Sequence, residues 1–288
     1  MPSPCATPSP ITRIRCTAQH LLPTPHPSSS TVVAEGLELS GPDEDGVVIV
    51  SMNSKPVNTL TAALIVAITR TFDALGSDPA TKAVVLTSGL RAFCAGLDLN
   101  AISPSPAQAD FEEFWQAFEE MYRTILLSPL ATVCAINGAA PAGGTLLALC
   151  CDYRAIADVD RLSMGLNETA VGIIPPAWVR ALASRTLGER QAELHLQNAL
   201  MVNPSTALAA GFVDEVVPAG ELMESCVARA AAMGAIPAEA RAATKQAQRD
   251  SIATLMGPRS VMEMWACVQS ASFQTHAQNV LASMSKRR

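Results

Sequence analysis

The chain has 288 residues, a formal net charge of −6 and a pI near 5.3. Nucleic acids and anionic membranes are bound through basic surfaces, so this acidity argues against both and we expect no nucleic-acid partner. The eight cysteines form no CxxC pair and have no histidine at zinc spacing, which predicts reduced thiols and no metal site.

Residues 1–35 are predicted to be a disordered tail. The segment is rich in proline, serine and threonine, contains Arg13 and Arg15, and has no acidic residue before Glu35. It offers too little apolar surface to join a core. This composition fits an organelle transit peptide, and the lack of an apolar central stretch argues against a secretory signal. A plain flexible tail is the alternative interpretation.

From residue 47 to about 157, strand and helix patterns alternate. Helical spacing occurs over 60–75 and 108–127, and a further helix is expected from 144; strands are predicted at 47–52, 82–88, 131–136 and 153–157. This alternation predicts an α/β fold with a mainly parallel sheet that is covered on both faces. After 175 the pattern is helical, apart from a short strand at 212–217. We expect an α/β core over 36–215 and a helical region over 216–288.

The segment 124–151 has no charged side chain, which is long enough to raise the question of a membrane helix. Asn137, Pro141 and the pair Gly143 and Gly144 interrupt it, and it lacks a continuous apolar run of twenty residues. Strands that are buried on both faces of a parallel sheet also give uncharged runs. We therefore interpret the segment as core and predict no membrane insertion.

Two glycine-containing turns, 93–99 and 137–145, directly follow predicted strands. In a parallel sheet the ends of the strands meet at one edge, where ligands bind. Glycine allows the backbone to approach a ligand, and amides at a helix start lack intrahelical acceptors. Two such amides could form an oxyanion hole. The alternative is that these glycines only form turns.

Glu168 is the candidate acid/base. It lies in the nearly apolar segment 164–176, where desolvation would raise the pKa of a carboxyl group towards the range of a general base. An exposed loop position or a helix cap is an equally open interpretation.

Other chemistries have little support. There is no GxSxG, GxGxxG or GxxxxGK[ST] motif, and the four histidines lie in the tail or in helical runs. His195 is interpreted as a helix-surface residue and Cys94 as a packing residue. Asp98 is either a second acid or a residue that braces its own loop, and Asp152 is interpreted as structural.

Five sequence words in order, KPVNTL, FCAGLDL, AINGAAPAGG, CDYRAIAD and GLNETAVGIIPPAW, resemble the crotonase (enoyl-CoA hydratase/isomerase) superfamily, in particular its mitochondrial Δ3,Δ2-enoyl-CoA isomerase branch. The resemblance covers about 45–285. It implies a fold of repeated ββα units with a C-terminal helical region, a homotrimer and a mitochondrial matrix location. It also implies an acyl-CoA thioester substrate and no cofactor.

The resemblance also implies roles for individual residues. The backbone amides of Ala95 and Gly143 would hold the thioester oxygen, and Glu168 would be the acid/base. Substrate contacts would come from Ala95, Gly96, Leu97, Asp98, Leu99 and Gly143.

One position departs from the wider superfamily. Hydratases carry a second glutamate shortly after the glycine pair, where this chain has Leu146. Hydration needs one group to activate water and another to handle the α-carbon proton, whereas a 1,3-proton shift needs one base. The sequence therefore favours isomerisation of 3-enoyl-CoA to trans-2-enoyl-CoA in fatty-acid β-oxidation. Another crotonase-type activity (hydratase or thioesterase) and a non-catalytic acyl-CoA-binding protein are the alternatives.

Overall fold

The structure is a computed structural model that describes residues 31–34 and 36–285, with side chains over 36–283. The predicted tail over 1–30 lies outside the described residues. Within the segment predicted as tail, Thr31–Ala34 forms a strand. The structure therefore has a strand in the last part of that segment.

A seven-stranded sheet organises the core. Its strands, in spatial order, are β1 (Thr31–Ala34), β2 (Leu37–Ser40), β3 (Val47–Met52), β5 (Ala83–Ser88), β7 (Ala131–Ile136), β9 (Tyr153–Ala157) and β11 (Glu215–Val217). The first three strands pair antiparallel, and the five from β3 to β11 pair parallel. Every residue of β5 and β7 is buried, which is why these strands read as continuous apolar runs.

Four short strands form two parallel pairs outside this sheet. The pairs are β4 (Thr59–Leu60) with β6 (Gly96–Leu97), and β8 (Ala140–Pro141) with β10 (Met164–Gly165). Each short strand follows a strand of the main sheet, and the first three are followed by a helix. This order produces the repeated ββα unit.

Ten helices complete the described chain. They are α1 (Ala62–Ser77), α2 (Gln108–Leu127), α3 (Gly143–Cys150), α4 (Ala177–Leu187), α5 (Glu189–Asn198), α6 (Pro204–Ala210), α7 (Leu222–Gly234), α8 (Ala238–Ala253), α9 (Pro258–Val268) and α10 (Ala271–Ser285). Helix α7 packs on β5 and β7, and α2 packs on α1, α8 and α9. The last four helices are thus in contact with the core, and the division at 215/216 stays a prediction.

The uncharged segment 124–151 forms the end of α2, β7, β8 and α3, as core packing predicts. Of the helices within 31–34 and 36–285, none has both the length and the apolar character to cross a bilayer. The strand predicted at 212–217 is shorter than expected, because the Phe212 amide donates to the Ala207 carbonyl (2.9 Å) at the end of α6 and the pairing with β9 begins only at Glu215.

A buried charge cluster fastens α8 to the end of α3. The Lys245 ammonium lies 2.8 Å from Asp152 and donates to the carbonyls of Ser128 (2.9 Å) and Leu130 (2.8 Å). Arg249 contacts the other Asp152 oxygen at 2.9 Å. The structural role predicted for Asp152 is therefore confirmed by its ion pairs.

We expect Lys245→Met to lower the free energy of unfolding by about 3 kcal/mol, because it leaves buried acceptors without their donor. Urea denaturation measures this. The matched control is Lys82→Met at an exposed lysine, which should stay within about 0.5 kcal/mol of the parent. Equal stability of the two variants would contradict the fastening role.

Candidate active site

The three segments singled out in the sequence follow three neighbouring strands of the sheet. The turn 89–97 follows β5, the turn 137–143 follows β7, and the segment that carries Glu168 follows β9. Because the strands are parallel and adjacent, all three segments leave the same edge. The sheet order thus brings together residues that lie more than 70 positions apart.

Backbone contacts join the first two turns. The Phe93 amide donates to the Ala139 carbonyl (3.0 Å), and Ala92 forms a parallel bridge with Ala139. Gly144 lies against the carbonyl of Cys94, so closely that a side chain there would collide with backbone. The glycine pair therefore allows one turn to contact the other, beyond any role in turning the chain.

Buried Asn58, which has a left-handed φ of 52°, anchors the first turn. Its side-chain amide donates to the Ser88 hydroxyl (2.7 Å) and the Phe93 carbonyl (2.9 Å), and its oxygen accepts from the Ser54 amide (2.7 Å). Sequence reasoning quoted this residue without giving it a role. The signal available in the sequence was the residue type, because asparagine is one of the few residues that tolerate this backbone conformation.

Thr145 and the pairing of β8 with β10 join the second turn to the third segment. The Thr145 hydroxyl accepts from the Gly165 amide (2.8 Å) and donates to the Ala140 carbonyl. The Ala142 amide donates to the Gly165 carbonyl (2.8 Å). Glu168 therefore lies three residues after Gly165, which is hydrogen-bonded to the start of α3.

The Glu168 carboxyl group is buried with no hydrogen-bond partner on either oxygen. The residue is 8% exposed and begins a 3₁₀ turn, Glu168–Val171. Burial raises the pKa of this carboxyl group from an ordinary value of 4.5 to about 7. Such a group can both accept and release a proton near neutral pH.

Gly143 supplies an amide at the start of α3. As the first helical residue, it has no carbonyl of its own helix to bond. A Cβ at this position would lie 2.9 Å from the Tyr122 hydroxyl and 3.1 Å from the Cα of Gly96. Gly143 therefore lies between α2 and the first turn.

Ala95 does not present a free amide. Its N–H donates to the Val57 carbonyl at 3.0 Å, so the predicted amide donor is already engaged in the turn that precedes β4. Further along, the Asp98 amide donates to the Leu60 carbonyl (3.4 Å).

Asp98 braces its own loop. Its carboxylate accepts from the backbone amide (3.0 Å) and the side-chain amide (2.9 Å) of Asn100, at the start of the 3₁₀ turn Leu99–Ala101. These contacts favour the bracing interpretation over a second acid. Gly96 and Leu97 form β6 beside it.

Two further sequence interpretations concern buried residues. Cys94 is fully buried and its thiol donates to the Asn58 carbonyl (3.1 Å), which agrees with a packing role. The surface position predicted for His195 is wrong. This histidine is 4% exposed and meets the Phe212 ring edge-on at 4.9 Å, because α5 turns that face towards the segment before β11.

Tyr122 is a residue that sequence reasoning treated only as part of a helical pattern. Its hydroxyl donates to the Gly143 carbonyl (2.9 Å). Burial raises its pKa well above the usual range, and nearby Cys94, Cys150 and Glu168 add to the rise. Tyr122 is therefore a neutral donor that lies within electrostatic reach of Glu168.

Two cavities lie away from these groups. One, of about 350 Å³, is lined by residues from 177–180 and 254–263, and the other, of about 430 Å³, is lined by Asp152 and residues from 233–249. Neither borders Glu168 or Gly143. The candidate site is thus identified by its chemistry and by the contacts between its turns.

Comparisons with known proteins agree with this geometry. The family model described as enoyl-CoA hydratase/isomerase matches residues 43–280. The human protein named enoyl-CoA delta isomerase 1, mitochondrial, is 39% identical over 211 residues, which are 73% of this chain and 69% of that protein. The mouse protein of the same name is 37% identical over 219 residues, 75% of this chain and 74% of that protein.

Solved structures give the same result for the fold. The crystal structure of human mitochondrial delta3-delta2-enoyl-CoA isomerase superimposes with a TM-score of 0.85 at 34% identity, covering 88% of this chain and all of that one. An enoyl-CoA hydratase from Bacillus halodurans has a TM-score of 0.76 at 21% identity, covering 85% of this chain and all of that one, which supports the fold alone. Since the family match spans all three strand-end segments, the chain belongs to the enoyl-CoA hydratase/isomerase family and has the crotonase fold.

Proposed function

We propose that this protein is a Δ3,Δ2-enoyl-CoA isomerase of fatty-acid β-oxidation, which converts 3-enoyl-CoA to trans-2-enoyl-CoA. The observation that carries the proposal is the buried, unpartnered carboxyl group of Glu168, with a pKa of about 7. The isomerase names of the human and mouse relatives support the same reaction.

The proposed reaction is a 1,3-proton transfer through one base. The Glu168 carboxylate removes a proton from C2, and the electron pair of that C–H bond forms the C1=C2 bond of a dienolate, while the π electrons of the C1=O bond move onto the thioester oxygen. The carboxylic acid then returns the proton to C4: the electrons of the original C3=C4 bond form the new C4–H bond, those of the C1=C2 bond become the C2=C3 bond of the product, and the oxygen pair restores the C1=O bond. No oxidant, reductant or water enters the balance, and we propose no cofactor.

The dienolate oxygen requires fixed hydrogen-bond donors. We assign one to the amide of Gly143, at the start of α3. The other is better assigned to Leu97 than to Ala95, because the Ala95 amide already donates to Val57. The neighbouring Asp98 amide donates to Leu60, and adjacent amides of an extended chain point in opposite directions, which favours Leu97 as the free donor. The substrate contacts proposed for residues 95–99 then come from the same segment of the chain.

Leu146 explains why isomerisation is favoured over hydration. It is 3% exposed on α3, one turn after Gly143, and it offers no group to activate water. An apolar residue there also helps to exclude water, which would otherwise exchange with the proton carried by Glu168. A thioesterase would likewise require an activated water.

We also propose a mitochondrial matrix location and a homotrimer. The relatives named mitochondrial, together with the composition of residues 1–35, support the location. The trimer is supported by the family resemblance. A full-length fusion protein that stays outside mitochondria, or a monomeric mass in sedimentation, would contradict the respective proposal.

Glu168→Gln should lower kcat on 3-hexenoyl-CoA by about a thousandfold, because a positioned general base contributes about 10²–10⁴. In the parent protein, kcat/KM should rise with pH through about 7 as the base ionises. Product identification by chromatography measures turnover. Wild-type-like turnover by the variant would exclude Glu168 as the base, whereas loss of turnover in an exposed control, Glu113→Gln, would point to a general defect.

The same substitution should stabilise the protein at high pH. The folded state binds the Glu168 proton more tightly than the unfolded state, so stability falls as pH rises from 4.5 to about 7 and stays low above that. This rise in pKa corresponds to about 3 kcal/mol. Urea denaturation should therefore show Glu168→Gln gaining up to this amount at pH 8 relative to pH 5, with Glu113→Gln unchanged; equal gains at both pH values would contradict the desolvated carboxylate.

Hydration should be a minor reaction. With 2-enoyl-CoA as substrate, formation of 3-hydroxyacyl-CoA should be about a hundredfold slower than isomerisation of 3-hexenoyl-CoA, because the second carboxyl group is absent at position 146. Parallel product analysis of the two substrates checks this. Comparable rates would favour a hydratase, and tight acyl-CoA binding without turnover of either would favour a non-catalytic binding protein.

A further inference from the structure

The turn that aims the Gly143 amide has a strained backbone. Ala142 has φ 45° and ψ −112°, which is the conformation of the first central residue of a type II′ turn and is normally occupied by glycine. A residue with a Cβ is held in such a conformation only when its surroundings over-determine it. The orientation of the peptide between Ala142 and Gly143 therefore depends on neighbouring contacts.

Three hydrogen bonds hold this turn, through the Ala142 amide, the Ala142 carbonyl and the Gly143 carbonyl. The Ala142 amide donates to the Gly165 carbonyl (2.8 Å), and the Leu146 amide donates to the Ala142 carbonyl (3.0 Å). The third bond comes from a side chain, since the Tyr122 hydroxyl donates to the Gly143 carbonyl (2.9 Å). This third bond can be removed without altering the backbone.

The Tyr122 ring is packed between two other aromatic rings. It is fully buried between Phe118, edge-on at 4.9 Å, and Trp178, tilted at 5.2 Å. The Trp178 ring nitrogen is in turn fixed to the Glu119 carboxylate (3.0 Å). The hydroxyl is thus presented to Gly143 by a packed aromatic cluster, and only a glycine leaves room for it.

We propose that Tyr122 is a positioning residue whose hydroxyl holds the strained Ala142–Gly143 turn, so that the Gly143 amide stays directed at the thioester oxygen. This inference rests on the proposed isomerase function. Because burial keeps the Tyr122 hydroxyl protonated, the bond persists throughout the working pH range. Tyr122 acts through the turn and takes no part in proton transfer.

Tyr122→Phe removes the hydroxyl and leaves the ring in place. We expect kcat on 3-hexenoyl-CoA to fall about tenfold, the equivalent of one hydrogen bond, with KM changed less than about twofold. The pH at which the acidic limb of kcat/KM bends should not move. The chain has two tyrosines, and Tyr153→Phe is the matched control, because the Tyr153 hydroxyl donates to Glu215 (2.9 Å) instead; its kcat should equal that of the parent.

A second measurement does not depend on activity. Hydrogen exchange by mass spectrometry should show faster exchange of the peptide that spans 138–150 in Tyr122→Phe, by about tenfold, and no change there in Tyr153→Phe.

A third measurement tests whether Tyr122 acts through the turn. In an Ala142→Gly background, where the strain is relieved, the effect of Tyr122→Phe on kcat should shrink to about twofold.

Unchanged kcat and exchange in Tyr122→Phe would overturn the proposal. A shift of the acidic limb by about one pH unit would also overturn it, because the hydroxyl would then act directly on Glu168. Equal kcat losses with and without Ala142→Gly would exclude action through the turn. If the parent protein has no isomerase activity, the proposed function fails, and the exchange experiment still decides whether Tyr122 holds the turn.

Discussion

The structure depends on keeping one carboxyl group away from water without giving it a hydrogen-bond donor. Two other buried charged side chains of the described chain, those of Glu119 and Lys245, are paired. Glu119 accepts hydrogen bonds from two tryptophans, a serine and a backbone amide, and Lys245 contacts two carbonyls and Asp152. Glu168 has no such partners. This contrast identifies Glu168 as a group suited to proton transfer, because a purely structural carboxylate would accept hydrogen bonds from nearby donors.

The free-energy cost of burying an unpaired carboxyl group is offset by the packing of the strands and helices around it. The strands β5 and β7 are buried throughout, and the segment with Glu168 is tied to α3 through Thr145 and the β8–β10 pair. Helix α10 packs on the 3₁₀ turn that begins with Glu168 and also bonds the loop after β6, through Gln274 and Ser103. The C-terminal helices therefore shield the reacting groups as well as adding to the core.

The sequence predicted the larger elements and the order of the site segments well. The runs 47–52 and 131–136 match β3 and β7, and the helix predicted over 108–127 matches α2, because apolar periodicity reports burial directly. The resemblance to the crotonase family is confirmed by the family match. The proximity of the turns after β5, β7 and β9 follows from parallel strands in sequential order, which the alternating pattern already indicated.

The sequence could not show individual hydrogen bonds and packing contacts between distant residues. The two-residue strands β4, β6, β8 and β10 are too short for any periodicity, and the bond from the Ala95 amide to Val57 depends on the path of the chain. His195 reads as a surface residue in a polar helix, yet that face is covered by Phe212. Tyr122 looks like one more member of an aromatic stripe, because its hydroxyl bond to Gly143 joins residues of different elements.

The sequential order of β5, β7 and β9 has an evolutionary consequence. Adjacent strands of any sheet are spaced about 4.8 Å apart. The distance between the turns that bind the thioester oxygen is therefore set by the backbone. Away from Tyr122 on α2 and from the first turn of α3, the helices between those strands can change their side chains without moving those turns. Descendants of such a scaffold can therefore acquire new acyl preferences while the atoms that stabilise the enolate remain where they were.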